Sequence, residues 1–154
     1  MIGLIQRVRE ARVDIAGRTV GAIGQGLLVL ACAEPSDSEE QVERFIAKVL
    51  KLRIFSDEAG KMNRSVQDLD GLDGAGRAGG LLIVSQFTLA ADTSGGNRPS
   101  FTGAAPAAKG RALYERLLER ARALHPEVAS GEFGAEMQVH LVNDGPVTIP
   151  LRIY

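Results

Sequence analysis

Ser85-Gln86-Phe87-Thr88 is the first place in this chain where side chains and backbone together could do chemistry. The four residues follow an apolar run at residues 81–84, so two hydroxyls, a carboxamide and free backbone N–H groups would gather at the end of a buried strand. Such a group of donors could converge on a ligand. Thr88 has the chemistry of a nucleophile, but no His or Lys stands beside it in sequence to activate it. A plainer alternative is that Ser85 and Thr88 only bond neighbouring backbone. The second place is Asn143-Asp144-Gly145-Pro146, followed by Val147-Thr148. There Gly145 tolerates backbone conformations closed to other residues and Pro146 removes a donor. An ordinary hairpin turn explains that segment equally well.

Other catalytic templates are missing. The only two histidines, His125 and His140, stand in no metal-ligand spacing, and His140 alternates within a strand pattern as a structural residue would. There is no GxSxG elbow and no phosphate-binding loop, and the glycines of residues 71–80 do not follow a strand as a dinucleotide site requires. The expectation is a protein without metal or cofactor. The single cysteine, Cys32, lies in an apolar run and reads as a buried, inert thiol.

The elements that must position these residues follow from periodicity. Residues 2–8, 11–15, 19–23 and 27–33 read as the strands of a meander with turns at residues 16–18 and 24–26. Ser36, Asp37 or Ser38 can cap a helix whose buried face is Val42, Phe45, Ile46, Val49 and Leu50. A short strand is expected at residues 52–55, and a mobile glycine-rich surface loop at residues 68–80. A strand covered on both faces is expected at residues 81–87. The long loop at residues 92–104 leads to a second helix, from about Pro106 to Leu124, with Leu113, Leu117, Ala121 and Leu124 on one stripe. Strands at residues 137–142 and 147–153 would close the chain, joined by the turn at residues 143–146.

With 154 residues, 45% apolar and 24% charged, the chain is long enough for one buried core. A formal net charge of -1 argues against a protein that grips nucleic acid mainly through global charge, but permits one that holds a single end of an RNA. Arg7 and Arg9 interrupt the early apolar stretch, so neither a signal peptide nor a membrane span can be drawn, and a cytoplasmic location is expected.

Six blocks resemble one family, in order and over nearly the whole chain: Ile5-Gln6-Arg7-Val8, residues 53–57, residues 60–63, residues 85–90, Arg98-Pro99-Ser100-Phe101 and residues 143–148. The family is that of the D-aminoacyl-tRNA deacylases, whose hallmark pair is Ser-Gln-Phe-Thr and Gly-Pro-Val-Thr. The sequence departs from it in a longer glycine-rich loop and in Ile149-Pro150, where an aromatic residue is more usual. Pro150 itself argues for an edge strand or an irregularity.

The resemblance implies one domain over residues 1–154 with an α/β fold of the α+β type: a compact β-barrel-like, mostly antiparallel sheet with two main helices packed outside. It implies hydrolysis of the ester of D-aminoacyl-tRNA, and to some degree of glycyl-tRNA, with L-aminoacyl-tRNA rejected. It implies a homodimer in which the Gly145-Pro146 peptide, cis in the family, enters the partner's pocket beside Ser85, Gln86, Phe87 and Thr88. There its carbonyl oxygens would take the substrate's α-amino group. Arg7 matches the arginine that holds this motif, and Met137 matches a pocket-lining position. Backbone N–H groups near Phe87 and Thr88 are the oxyanion candidates, and the ribose 2′-hydroxyl next to the ester would orient or deprotonate water. Two other functions compete: a tRNA-binding module that releases nothing, and a structural homo-oligomer with no tRNA affinity.

Overall fold

The computed structural model describes every residue except Gly74, which belongs to the expected glycine-rich loop and lies outside the described residues. Strands β1 (Ile2–Ile15), β2 (Arg18–Ile23) and β3 (Gly26–Cys32) open the chain. The two strands expected at residues 2–15 are thus one. They do not form a meander either, because β3 crosses back to pair with β1 rather than with β2. The length of β1 allows this: residues 2–8 take β3 and residues 11–15 take β2 along the same edge.

Helix α1 (Glu39–Lys51) starts at Ser38, whose side chain accepts from the Glu40 N–H while Gln41 bonds back to the cap backbone. Its five predicted apolar residues are all buried, each contributing roughly 1.5–3 kcal/mol by burial. The chain then forms a small antiparallel hairpin, β4 (Phe55–Ser56) and β5 (Met62–Arg64), so the short strand starts where the sequence reading ended it. Val66, just before the expected glycine-rich loop, and Leu69 at its start are buried.

Strand β6 (Gly80–Ser85) runs parallel to β3 and to β7 (Val128–Ser130), while β1 pairs antiparallel with β2, β3 and β8 (Gln138–Arg152). The sheet is therefore mixed, and β2 curls back towards β7 to bring it near closure, as the backbone approach of Gly21 to Ser130 shows. Closure explains why β3 and β6 are apolar throughout. Leu28, Leu82 and Val84 point into the barrel with Val8, Val13 and Ile23. Leu27, Val29, Leu81 and Ile83 point outward, under α1 and α2 (Ala107–Leu124), against Phe45, Val49 and Leu117. Both faces are covered, so no polar alternation is possible.

Two details of α2 differ from expectation. Pro106 has extended backbone and sits at the cap rather than inside the first turn, and Leu124 is 43% exposed, its place in the buried stripe taken by Tyr114 and Leu118. A larger difference concerns the end of the chain. The two expected strands are the single strand β8, which pairs only with β1 and so forms an edge that tolerates Pro150. The segment at residues 143–146 is no hairpin turn, since the chain keeps its direction through it. Gln6 pairs with Thr148 and Val8 with Asn143, which leaves Arg7 alone opposite the four residues Asp144 to Val147. Those residues form a bulge in which Gly145 and Pro146 are exposed and Val147 is buried in the core. The Gly145-Pro146 bond within the bulge is cis.

Candidate active site

At the end of β6 the chain turns sharply. Ser85 closes the strand, Gln86 N–H donates to the Ala31 carbonyl at 2.8 Å, and Phe87–Ala90 form one 3-10 turn. The expected strand therefore stops two residues before Phe87. Nothing apolar holds this turn inside, and Phe87 is 57% exposed. The first bond of the turn runs from Leu89 N–H to Gln86 O, so the N–H groups of Phe87 and Thr88 have no partner within it. The Gln86 amide donates to Thr88 Oγ1.

Beside this turn lies a cavity of about 740 Å³, within the size range of small-molecule sites. Ser85, Gln86, Phe87, Tyr114, Phe133 and Met137 are among its lining residues. The space exists because the residues between are small: Ala31, Ala33, Ala104, Ala105, Ala107 and Gly110. Met137 fits because its sulfur lies over Gly131, where a Cβ would come within 2.5 Å of it. Phe87 meets Phe101 edge to face at 5.1 Å, both partly exposed at the rim, and Arg111 lies 4.9 Å over the Phe133 ring.

Electrostatically the cavity is unusual for an active site. None of its lining residues is Asp, Glu, His, Lys or Arg. Two of its side chains can titrate, and burial makes both harder to ionise: the Cys32 thiol is pushed up, and the Tyr114 hydroxyl is pushed up to about 12. At neutral pH no lining side chain carries a charge.

Arg7, Gly145 and Pro146 do not line this cavity. They form a second cluster on the β8 edge. Arg7 Nε donates to the Asp144 carbonyl at 3.0 Å, its Nη1 donates to the Ile54 carbonyl at 2.7 Å, and the Asp144 carboxylate stands 3.5 Å from Nε. Gly145 has φ +130°, and both it and Pro146 are exposed.

The D-Tyr-tRNA(Tyr) deacylase family model matches residues 4–152. The chain belongs to this family. It is 72% identical over 153 residues to the D-aminoacyl-tRNA deacylase of Acidovorax ebreus (strain TPSY), covering 99% of this chain and 98% of that one. Against the protein of the same name from Polaromonas naphthalenivorans (strain CJ2) the identity is 70%, over 99% and 97%. Among solved structures, a c-Myc DNA unwinding element binding protein superposes with a TM-score of 0.89 at 38% identity, over 100% of this chain and 99% of the other. A probable eukaryotic D-amino acid tRNA deacylase gives 0.80 at 18% identity, over 99% and 98%, and supports the fold alone.

Within this member of the D-Tyr-tRNA(Tyr) deacylase family, the residues singled out from the sequence fall into two groups. Ser85, Gln86, Phe87 and Met137 share the cavity, Thr88 follows in the same turn without lining it, and Arg7, Gly145 and Pro146 are together elsewhere. His140 bonds Asp14 at the surface, and buried His125 holds the Gly79 carbonyl, so neither is in the site. Sequence reasoning missed Phe101, Tyr114 and Phe133. Only Phe101 had a signal, in the Arg98-to-Phe101 block.

Tyr114 ties the cavity wall together by donating to Ile83 O at 2.9 Å, with Gly131 O at 3.4 Å. Ile83 O also keeps the Gly131 N–H, so Tyr114→Phe should cost only about 0.5–1.5 kcal/mol in denaturant unfolding. Its pH signature is sharper. A tyrosine in the unfolded chain ionises near 10, whereas Tyr114 in the fold does so at about 12. Its contribution is complete below pH 10 and is lost as pH rises towards 12. The variant should lose less stability across that interval than the parent.

Proposed function

We propose that the chain hydrolyses D-aminoacyl-tRNA in a cavity completed by a second copy of itself, with the RNA rather than a side chain supplying the activating hydroxyl. The reaction is that of its family: cleavage of the ester between the amino acid and the terminal adenosine of tRNA. The observation that carries the catalytic part is the absence of any charged side chain from the cavity lining. Thr88 is bonded to an amide that cannot take its proton. Water, oriented by the ribose 2′-hydroxyl, remains as the nucleophile on an ester already activated for attack. The N–H groups of Phe87 and Thr88 are suited to the developing oxyanion. The exposed rings of Phe87 and Phe101 suit stacking of a terminal base.

Selectivity is assigned to the bulge. An apolar cavity without carboxylates offers nothing to an α-amino group, whereas the Gly145 and Pro146 backbone is exposed on an unpaired sheet edge, where a second copy can meet it. Carbonyls fixed in a bulge would hold the amine and leave no room for an L side chain. Glycine has no side chain to reject, so glycyl-tRNA is also a substrate. The same reading makes the chain a homodimer. Sedimentation at assay concentration should give a dimer, and an active, stereospecific monomer would contradict it. A net charge of -1 does not favour binding along a nucleic-acid duplex as the main role. Among the described residues no helix is long and apolar enough to cross a membrane. Translation and a free thiol at Cys32 both fit the cytoplasm.

Thr88→Ala tests the absence of a protein nucleophile. Its single-turnover rate on D-tyrosyl-tRNA should stay within about tenfold of the parent, because losing a triad nucleophile costs on the order of 10⁶-fold. A covalent threonyl ester trapped at Thr88 would overturn the mechanism.

A further inference from the structure

Neither the cavity nor the bulge accounts for the hairpin at residues 53–64. Its side chains form a dense surface knot. Asp57 accepts from the N–H groups of Ala59 and Lys61, both at 2.9 Å, and from the Asn63 amide at 2.7 Å. Arg53 in turn grips Asn63 twice, from Nε to the backbone carbonyl at 2.9 Å and from Nη2 to Oδ1 at 2.7 Å. The hydrogen bonds around Asp57 hold its carboxyl below the usual range, so the knot is formed with the charged acid. A two-stranded hairpin this short is not stable by itself, and these bonds define its shape.

The knot is joined to the bulge by one side chain. Ile54, next to Arg53, accepts Arg7 Nη1 at 2.7 Å, and the other end of the same guanidinium donates to the Asp144 carbonyl at 3.0 Å. A guanidinium is a rigid planar fork, so a displacement of the Ile54 carbonyl is passed to the peptide that precedes Gly145. Ile54 and Phe55 are buried, which fixes one end of this strut in the core. Arg53, Asp57 and Asn63 fix the direction in which the strand leaves it.

We infer that the hairpin is a brace for the selectivity element, and that Arg53, Asp57 and Asn63 are positioning residues for discrimination between D- and L-aminoacyl-tRNA. The inference rests on the reading of Gly145-Pro146 given above. Loosening the knot would let the bulge carbonyls wander, weakening the hold on the amine and opening space that an L side chain could use.

The test compares Arg53→Ala, Asn63→Ala and Asp57→Asn with the parent, using single-turnover hydrolysis of D-tyrosyl-tRNA and L-tyrosyl-tRNA. The ratio of the L rate to the D rate, each counted above spontaneous release, should rise by about tenfold, since sub-ångström misplacement of a binding group is costly. A role in stability alone changes the folded fraction, which lowers both rates together and leaves the ratio unmoved. That result in the folded variants would overturn the brace. Asn63→Ala removes least and serves where Arg53→Ala fails to fold. Gly145→Val is measured alongside. If it leaves discrimination intact, the bulge is not the filter and the brace falls with it. If it destroys discrimination while all three hairpin variants keep the parental ratio, only the brace is wrong.

Discussion

Gly145→Val is expected to lower D-aminoacyl-tRNA hydrolysis on the order of 10²-fold, the usual cost of moving a binding group by about an ångström, while the chain stays folded. The cause is local. Gly145 has φ +130°, a region that side chains disfavour, and a Cβ there would come within 2.9 Å of the Val147 side chain and 3.1 Å of Arg7 Nη2. The bulge must therefore shift, and the guanidinium bonding Asp144 must shift with it. Gly145 and Pro146 are exposed at an edge strand, but Val147 is buried in the core, so the shift costs some stability as well as function. Single-turnover release of D-tyrosine, with circular dichroism to confirm folding, is the measurement. A variant that is less stable but fully active and stereospecific would reduce the bulge to an irregularity in the sheet.

Replacing the 2′-hydroxyl of the terminal ribose by hydrogen should slow the chemical step by roughly 10²-fold, the lower range for loss of general acid–base assistance. No residue lining the cavity is Asp, Glu, His, Lys or Arg, and Cys32 and Tyr114 are held neutral by burial. The Met1 amino terminus is engaged by Glu34 and Asp37, and Ser85 and Gln86 can orient water but are poor bases, which leaves the hydroxyl next to the ester as the proposed activating group. The substrate would be D-tyrosyl-tRNA ending in 2′-deoxyadenosine, and the observable its single-turnover rate at saturating enzyme. An unchanged rate would remove the RNA from the chemistry and send the search back to protein groups.

What could be read from residues alone depended on how local the cause was. Helix α1 was legible because a capping box and a stripe of apolar residues three and four apart are both local signals. The outward and inward faces of β6 were legible as an unbroken apolar run. The pairing of β3 with β1 was not, since any of several strands satisfies the same alternation and only barrel closure selects among them. Asn143 to Pro146 carry the residues of a turn, and nothing in their neighbourhood says that Arg7, far away in sequence, will lie opposite them and keep the strand running straight.

The site shows the same division. Ser85 to Thr88 could be found as polar residues at a strand end, but the cavity they face is made by alanines and a glycine, which have no chemical signature. Tyr114 and Phe133 come from a helix and a loop that only the fold brings together, at a ring separation of 6.0 Å. The resemblance of the hallmark segments identified the chemistry, and the structure showed that no charged side chain lines the cavity beside them.

The proposed chiral filter combines a cavity whose lining side chains carry no charge with an exposed Gly145-Pro146 peptide. It is tested most directly by incubating the protein with D-tyrosyl-tRNA and L-tyrosyl-tRNA in parallel and following release of tyrosine under single-turnover conditions. The account predicts rapid release from the D substrate, none above the spontaneous rate from the L substrate, and release from glycyl-tRNA as well. Equal release from the D and L substrates would contradict the filter, and binding of both without release from either would contradict the hydrolytic site itself.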